Sequence, residues 1–416
     1  MKIALLGYGK EGQSTEQYFK KHHQNLICDV FENFTYDEIK KKDFSSYDLV
    51  FRSPSVPPLH LPNETSITKY FFSHCPCPII GVTATKGKGT TCSFAKSILD
   101  ALGEDAYLVG NIGTPAIDIL DKLKPTSVVV YELSSFQLWD LNQSPHIAII
   151  GHLEPDHLNV HRSYKEYLTA KSNICSHQTP DDYCIYYKDN SHAVEIAQTS
   201  PAHSIPFPFE VPKTILKSII LPGTHNQNNA IAAIAAVASY KNLTPSEFIQ
   251  QFVDDIAHGL RSFKGLPHRL EFIRELNHVK YYDDSFSTNP ASTRVAIEAF
   301  PDSQIVVIAG GRDKTNNEDL AEIFQILTLP DVKRVVLIGE SGHEIAHRYP
   351  HHTFREASSL SAAVIAARLE AEALSKHSTS PTIVLLSPSA ASFDMFKNVY
   401  DRGEQYQKLI NNLSQQ

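Results

Sequence analysis

Short apolar runs alternate with stretches of helical apolar spacing along the whole 416-residue chain. Runs this short, bounded by glycine, proline and polar clusters, suit buried strands, and their alternation with helices predicts α/β units built on parallel sheets. Strands are expected at Ile3–Leu6, Leu26–Phe31, Leu49–Phe51, the Pro78-Ile79-Ile80 run, Val128–Tyr131 and Ile147–Ile150. Four more are expected at Val279–Tyr282, Ile305–Ala309, Val332–Ile338 and Ile383–Leu386. Helical spacing appears in Phe94, Ile98, Leu99 and Leu102, in the Ala-rich Asn226–Tyr240, and in Leu360–Leu374. A stretch punctuated by Pro201, Pro206, Pro208 and Pro212 reads as an exposed excursion.

The chain is too long for a single core and suits two or three domains. The Pro-rich Ser53–Pro58 cannot continue the strand before it, and a boundary is expected between Phe72 and Pro78, with another near Phe263–His268. The expected architecture is α/β in three parts. Residues 1–76 form an N-terminal Rossmann-like domain, 77–263 a central P-loop ATPase-like parallel sheet, and 264–416 a C-terminal Rossmann-like domain.

Composition narrows the classes. A hydrophobic share of 42% with 20% charged residues is that of an ordinary soluble globular protein. The net charge of −8 argues against a nucleic-acid partner. No stretch approaches the ~18–20 apolar residues of a membrane span, and Met1–Gly7 is a strand start rather than a signal peptide, so a cytoplasmic protein without a membrane partner is expected. The cysteines at 28, 75, 77, 92, 175 and 184 form no CxxC pair, and Cys75-Pro76-Cys77 is too close for a zinc knuckle, so they are read as reduced thiols.

The chemistry concentrates at Gly81-Val-Thr-Ala-Thr85-Lys86-Gly87-Lys88-Gly89-Thr90-Thr91, between a predicted strand and a predicted helix. Glycines let backbone N–H groups turn toward a polyphosphate, the helix N-terminus adds its positive end, and Lys88, an exposed loop cation, meets the β/γ-phosphates of ATP. An ordinary glycine-rich βα turn is the alternative. Gly7-Tyr8-Gly9-Lys10-Glu11-Gly12 is a GxGxxG turn with Glu32 at about the separation of a dinucleotide fingerprint. Glu132 ends a buried strand and suits Mg²⁺, or else pairs with a lysine. His157 in Glu154-Pro-Asp-His and Lys171 beyond it say little by chemistry alone. Asn226 and Asn229 either open a helix or read a base edge. Polar clusters at Gly265-Leu-Pro-His-Arg269, Asp283-Asp284-Ser-Phe286-Ser-Thr288, Gly310-Gly-Arg-Asp-Lys314 and Ser387–Asp394 recur at predicted strand ends and imply a cleft between the later domains.

Taken in order, these motifs resemble the Mur ligase family, from the phosphate loop to Arg402-Gly403, with the first domain in keeping. The carriers include Asn111-Ile-Gly113, Glu132-Leu-Ser-Ser135-Phe-Gln-Leu138, Asp156-His157, Ala170-Lys171, His225-Asn226 with Asn229, and Leu386–Lys397. The closing stretch is most similar to the branch that adds D-glutamate. The resemblance implies an ATP- and Mg²⁺-dependent amide ligase, acting through an acyl phosphate on UDP-N-acetylmuramoyl-L-alanine and D-glutamate in peptidoglycan synthesis, and working as a monomer. Its first domain would hold the UDP-sugar, its central domain ATP, and its last domain the amino acid. By the same resemblance Thr85, Lys86, Gly87, Lys88, Gly89, Thr90, Asn226, Asn229, Arg269 and Asp284 contact the nucleotide. Lys88, His157 and Lys171 are catalytic, and Thr90, Glu132, His157 and a carbamylated Lys171 hold metal. Asn111, Ser135, Thr288, Lys314, Ser392 and Phe393 take the substrates.

Four departures stand out. Ala84 replaces a glycine, and Gly89 replaces the hydroxyl that usually follows the loop lysine, a role Thr90 can assume as in folylpolyglutamate synthases. Phe286 stands where many relatives carry lysine, and Val399 where an aromatic is common; Lys10 and Glu11 give the first turn its own character. A nicotinamide dehydrogenase, a non-catalytic scaffold, and another Mur or folylpolyglutamate-type ligase are the competing readings.

Overall fold

The computed structural model describes residues 1–111, 113–157, 160–312 and 319–414. Two compact units form, Met1–Ile220 with His225–Phe263, and Leu221–Thr224 with Lys264–Gln416. The first unit holds two parallel sheets. Strands β1 (Lys2–Leu6), β2 (Ile27–Phe31), β3 (Leu49–Arg52) and β4 (Glu64–Ser66) run in the order β2-β1-β3-β4. The second sheet comprises β5 (Ile79–Thr83), β6 (Ala106–Gly110), β7 (Val128–Glu132), β8 (Ile147–Ile150), β9 (Tyr183–Tyr187) and β10 (His203–Phe207), in the order β10-β9-β8-β5-β7-β6. Strands β5, β7 and β8 are buried at every position, which is why they read as continuous apolar runs.

The other unit carries β11 (Glu271–Leu276), β12 (Val279–Asp283), β13 (Gln304–Gly310), β14 (Val332–Ile338), β15 (Arg355–Glu356) and β16 (Thr382–Leu386), ordered β11-β12-β16-β13-β14-β15. It is parallel except at its edge, where β11 pairs antiparallel with β12. Apolar clusters cover both faces of this sheet, one around Ile305, Val307 and Leu385, the other around Val306, Ile308 and Val384. That alternation is the period-2 signature of a strand.

The proline-punctuated stretch is not a simple excursion. His203–Phe207 forms β10 and pairs in parallel with β9 despite Pro206. Its place at the sheet edge explains this, because an edge strand tolerates a residue that cannot donate. Among the described residues no helix is long and apolar enough to cross a membrane. All six cysteines are free.

Candidate functional site

Strand β5 delivers the phosphate loop to its C-terminal end, where ligand sites of parallel sheets lie. Gly87 adopts φ +85°, and a Cβ there would fall 2.6 Å from Asn229 Oδ1, so conformation and space both demand glycine. The helix Lys88–Ala101 starts at once. Lys88 is half-buried rather than exposed, and its Nζ donates to the carbonyls of Ala84 (3.0 Å) and Thr85 (3.1 Å). The hydroxyl of Thr85 is taken up by Tyr167 Oη at 2.8 Å and by the backbone of Glu154, while Lys86 pairs with the Glu154 carboxylate at 3.1 Å. Gly89 is buried and Thr90 half-buried on the first turn. Thr91 Oγ1 donates to Asn229 Oδ1 at 3.3 Å, and Asn229 Nδ2 lies 3.5 Å from Asn226 Oδ1. The long Ala-rich helix is thereby tied to the loop.

Lys171, 2% exposed, is the most unusual charged group of this unit. Its Nζ donates to Ala84 O (2.8 Å) and Thr83 Oγ1 (3.1 Å) and lies 4.9 Å from the Tyr167 ring centre. The Ala84 carbonyl therefore accepts from both lysines. Burial holds Lys171 well below the usual lysine range and the Lys88 charge adds to this, while Asp156 and Glu132 pull the other way. Glu132 is buried at the end of β7, with Asn111 Nδ2 3.5 Å from its Oε1. His157 is exposed with φ 54°, its Nε2 3.5 Å from Asp156 Oδ2.

Lys88, Asn111, Ser135, His157 and Lys171 line one cavity of about 890 Å³ together with the GxGxxG turn. In that turn Glu11 accepts from Gln137 Nε2 at 3.3 Å, and burial lifts its carboxyl to about 6. Glu32 lines a smaller neighbouring cavity of about 400 Å³ that shares Gly7.

The sequence reading passed over His161. It is fully buried, stacked on Phe136 (5.2 Å between ring centres) and edge-on to Tyr167, with Nε2 2.9 Å from Ser135 Oγ. Its place four residues after His157 was the available signal. The His161 N–H donates to the His157 carbonyl at 3.0 Å, and both rings pack against Phe136, the His157 ring exposed and the His161 ring buried.

In the second unit the guanidinium of Arg269 lies over the Phe286 ring, 4.5 Å from its centre. Phe286 is thus a platform for a cation rather than a missing one. Asp284 is buried and accepts from Ser287 Oγ, Ser387 Oγ (2.8 Å) and Leu270 N (3.2 Å). Burial outweighs these bonds and lifts its carboxyl to about 7. Arg402, quoted above only as the end of the resemblance, is fully buried and donates to Ser285 O (2.8 Å) and Ala390 O (3.1 Å), joining two of the predicted polar clusters. His268, Glu271 and Asp283 could form a metal cluster by composition, but Gln407 Nε2 donates to both carboxylates and His268 Nδ1 lies 2.7 Å from Asp283, so hydrogen bonds already satisfy it. Thr288 is half-buried, Ser392 buried, and Phe393 63% exposed. Lys314 lies outside the described residues, as do Ile112 and Asp313 of the quoted motifs.

Residues 82–217 match the Mur ligase middle domain, and residues 268–390 the Mur ligase glutamate ligase domain. The chain is 30% identical to the UDP-N-acetylmuramoylalanine–D-glutamate ligase of Acetivibrio thermocellus, over 99% of this chain and 96% of that one. It is 33% identical to the ligase of the same name from Symbiobacterium thermophilum, over 89% and 85%. Among solved structures it resembles the UDP-N-acetylmuramate-alanine ligase of Thermotoga maritima, with TM-score 0.59 and 17% identity over 99% of both chains. It also resembles the folylpolyglutamate synthase of Mycobacterium tuberculosis complexed with ADP and AMPPCP, with TM-score 0.60 and 15% identity over 84% and 95%. These two likenesses bear on the fold, Val82 to Thr91 of the phosphate loop lie inside the matched middle domain, and the chain belongs to the Mur ligase family.

Proposed function

We infer that the chain is an ATP-dependent ligase joining D-glutamate to UDP-N-acetylmuramoyl-L-alanine in peptidoglycan precursor synthesis. Within the molecule, the observation that carries this is the single cavity shared by a dinucleotide-type turn, a phosphate-loop lysine and a buried lysine. A nicotinamide dehydrogenase uses the turn alone and leaves the two lysines unexplained.

The chemistry follows from what a carboxylate lacks. It is a poor electrophile until one oxygen becomes a leaving group, so the γ-phosphoryl of ATP passes to the L-alanyl carboxylate and ADP departs. The amine of D-glutamate attacks the carbonyl carbon of that acyl phosphate. The tetrahedral adduct then expels phosphate, the amine loses a proton, and an amide remains. Lys88 would leave its carbonyl partners for the transferring phosphoryl and offset the charge that builds there. Asn226, Asn229, Arg269 and Asp284 are assigned to the nucleotide, with Thr85 to Thr90 forming the loop around its phosphates. Asn111 and Ser135 face the muramoyl substrate, and Thr288, Lys314, Ser392 and Phe393 the glutamate. Residues 1–76 serve the UDP-sugar, 77–263 ATP and 264–416 the amino acid.

Magnesium is part of this reading, and the donor set can be tested for it. A buried carboxylate at Glu132 and a hydroxyl at Thr90 are hard oxygen donors of the type Mg²⁺ takes. An amine at Lys171 is not, but burial that keeps it neutral lets its lone pair add to CO₂, with loss of one proton, giving an anionic carbamate oxygen beside His157. The metal would supply charge neutralisation on the phosphates. The reading needs small-molecule substrates only, with no nucleic acid or membrane, and suits a cytoplasmic monomer serving cell-wall growth and division.

A substrate matrix tests it. Phosphate release is measured with ATP, UDP-N-acetylmuramoyl-L-alanine and D-glutamate together, then with each omitted or replaced by another amino acid or a folate acceptor. Turnover is expected with the full set. Release with another acceptor alone would reassign the ligase, no release with any set would favour a scaffold, and tight NAD(H) binding without UDP-sugar binding would favour the dehydrogenase.

A further inference from the structure

His161 has no place in the reaction described above, yet it is fully buried directly behind Ser135, which lines the cavity. The ring is 0% exposed and enclosed by Phe136, Trp139 (4.5 Å) and Tyr167 (5.5 Å). A charged ring would bury a second N–H inside this enclosure, so the surroundings favour the neutral ring. One nitrogen, Nε2, lies 2.9 Å from Ser135 Oγ, while Nδ1 is buried with no hydrogen-bond partner among the described residues.

A neutral imidazole carries one N–H and one bare lone pair. Were the proton on Nδ1, the molecule would bury an orphaned N–H, the rarer and costlier arrangement. The proton therefore belongs on Nε2, which donates to Ser135 Oγ. That occupies a lone pair of the hydroxyl and leaves its own proton to be given elsewhere. Ser135 lines the 890 Å³ cavity with Lys88 and Lys171, so a molecule bound there can take its proton as a hydrogen bond.

We propose that His161 is a positioning residue that makes Ser135 a committed hydrogen-bond donor to an anionic oxygen of the carboxylate substrate; the identity of that substrate rests on the function inferred above. Without His161, the Ser135 hydroxyl is free to spend its proton on a neighbouring acceptor of the wall. With it, one rotor is biased toward the anion before the substrate arrives, and such preorganisation carries no reordering cost at binding.

The test has two arms on the intact protein. Long-range proton–nitrogen NMR of ¹⁵N-histidine-labelled protein, assigned with the His161→Phe variant, reads the ring directly. A pyrrole-type Nε2 and a pyridine-type Nδ1 are expected, and the opposite tautomer, or a protonated ring at neutral pH, would overturn the proposal. In the second arm His161→Phe and Ser135→Ala should each raise the KM for the muramoyl nucleotide about tenfold, the scale of a hydrogen bond to a charged group. The double variant should be no worse than either single one, and His161→Gln, which retains an N–H donor, should recover part of the loss. Additive losses, or an unchanged KM in Ser135→Ala, would overturn it. Ser135→Ala leaves the aromatic cage intact, so the test survives if His161→Phe folds poorly. The two layers fail separately: a wild type without turnover defeats the assigned reaction, whereas an Nδ1-protonated ring in an active enzyme defeats the donor role alone.

Discussion

Asp284 sits among three donors and still holds its proton near neutrality, because burial removes more than the hydrogen bonds return. The folded carboxyl titrates at about 7, above the 3.8 of the unbound group. Between those values the folded state keeps a proton that the unfolded state has released, so stability falls as pH rises through the window. Asp284→Asn removes the titration. Its denaturation midpoint should therefore gain on wild type between about pH 4 and about pH 7, and a constant offset across that window would show that folding does not raise the carboxyl. Phe286 yields a second expectation. With the Arg269 guanidinium 4.5 Å from its ring centre, Phe286→Ala removes a cation–π contact worth about 0.5–2 kcal/mol, so the KM for ATP should rise a few-fold. Phe286→Lys should do worse, since it sets a like charge beside Arg269. A rise in the glutamate KM alone would return Phe286 to the amino-acid pocket.

The strands were legible wherever burial imposed a continuous apolar run, as in Ile147–Ile150 and residues 335–338 of β14, because a two-sided environment leaves little choice of residue. Edge elements were not. Strand β10 is exposed or half-exposed at all but its last position, so its sequence follows turn chemistry and Pro206 conceals it. The phosphate loop was legible because Gly87 answers a local backbone demand. What sequence spacing could not give was the third dimension: Ala84 O shared by Lys88 and Lys171, the ring beneath Arg269, and the partner of His161. At this scale the loop itself makes the prediction. Gly87→Ala forces an L-residue to φ +85° with its Cβ 2.6 Å from Asn229 Oδ1, so ATP binding should be lost and stability reduced by about 1–2 kcal/mol. Calorimetry of the free protein with an ATP titration reads both, and intact nucleotide binding would mean that the loop re-forms without its left-handed turn. Along the helix that follows, Thr91 is already bonded to Asn229 while Thr90 stands one residue nearer the loop. Thr90→Ala should raise the Mg²⁺ needed for half-activity more than Thr91→Ala does, and equal negligible effects would remove both hydroxyls from the metal.

Across the whole molecule the proposed chemistry divides between two compact units that the chain joins through Leu221–Thr224 and at Phe263–Lys264. In the proposed reaction phosphoryl transfer would draw on Lys88, Glu132 and Lys171, all in the first unit, whereas Lys314 belongs to the sequence of the second. D-Glutamate carries carboxylates that need a cation when taken from water, and Lys314 is the cation assigned to them. That division can be read with a nucleophile that has no carboxylate. Hydroxylamine traps an acyl phosphate as a hydroxamate and needs no glutamate pocket. Lys314→Ala should therefore raise the D-glutamate KM strongly, leave the ATP KM near wild type, and keep hydroxylamine-dependent ADP release. Lys314→Arg should recover only part of the glutamate affinity, because a planar fork does not replace a point charge. Lys88→Ala should lose both reactions, by a factor on the order of 10² to 10³, since it acts before either nucleophile arrives. An unchanged glutamate KM in Lys314→Ala would displace the amino-acid site. Loss of the hydroxylamine reaction in the same variant would instead place Lys314 in phosphoryl transfer, and the two halves of the reaction would no longer be separable by residue.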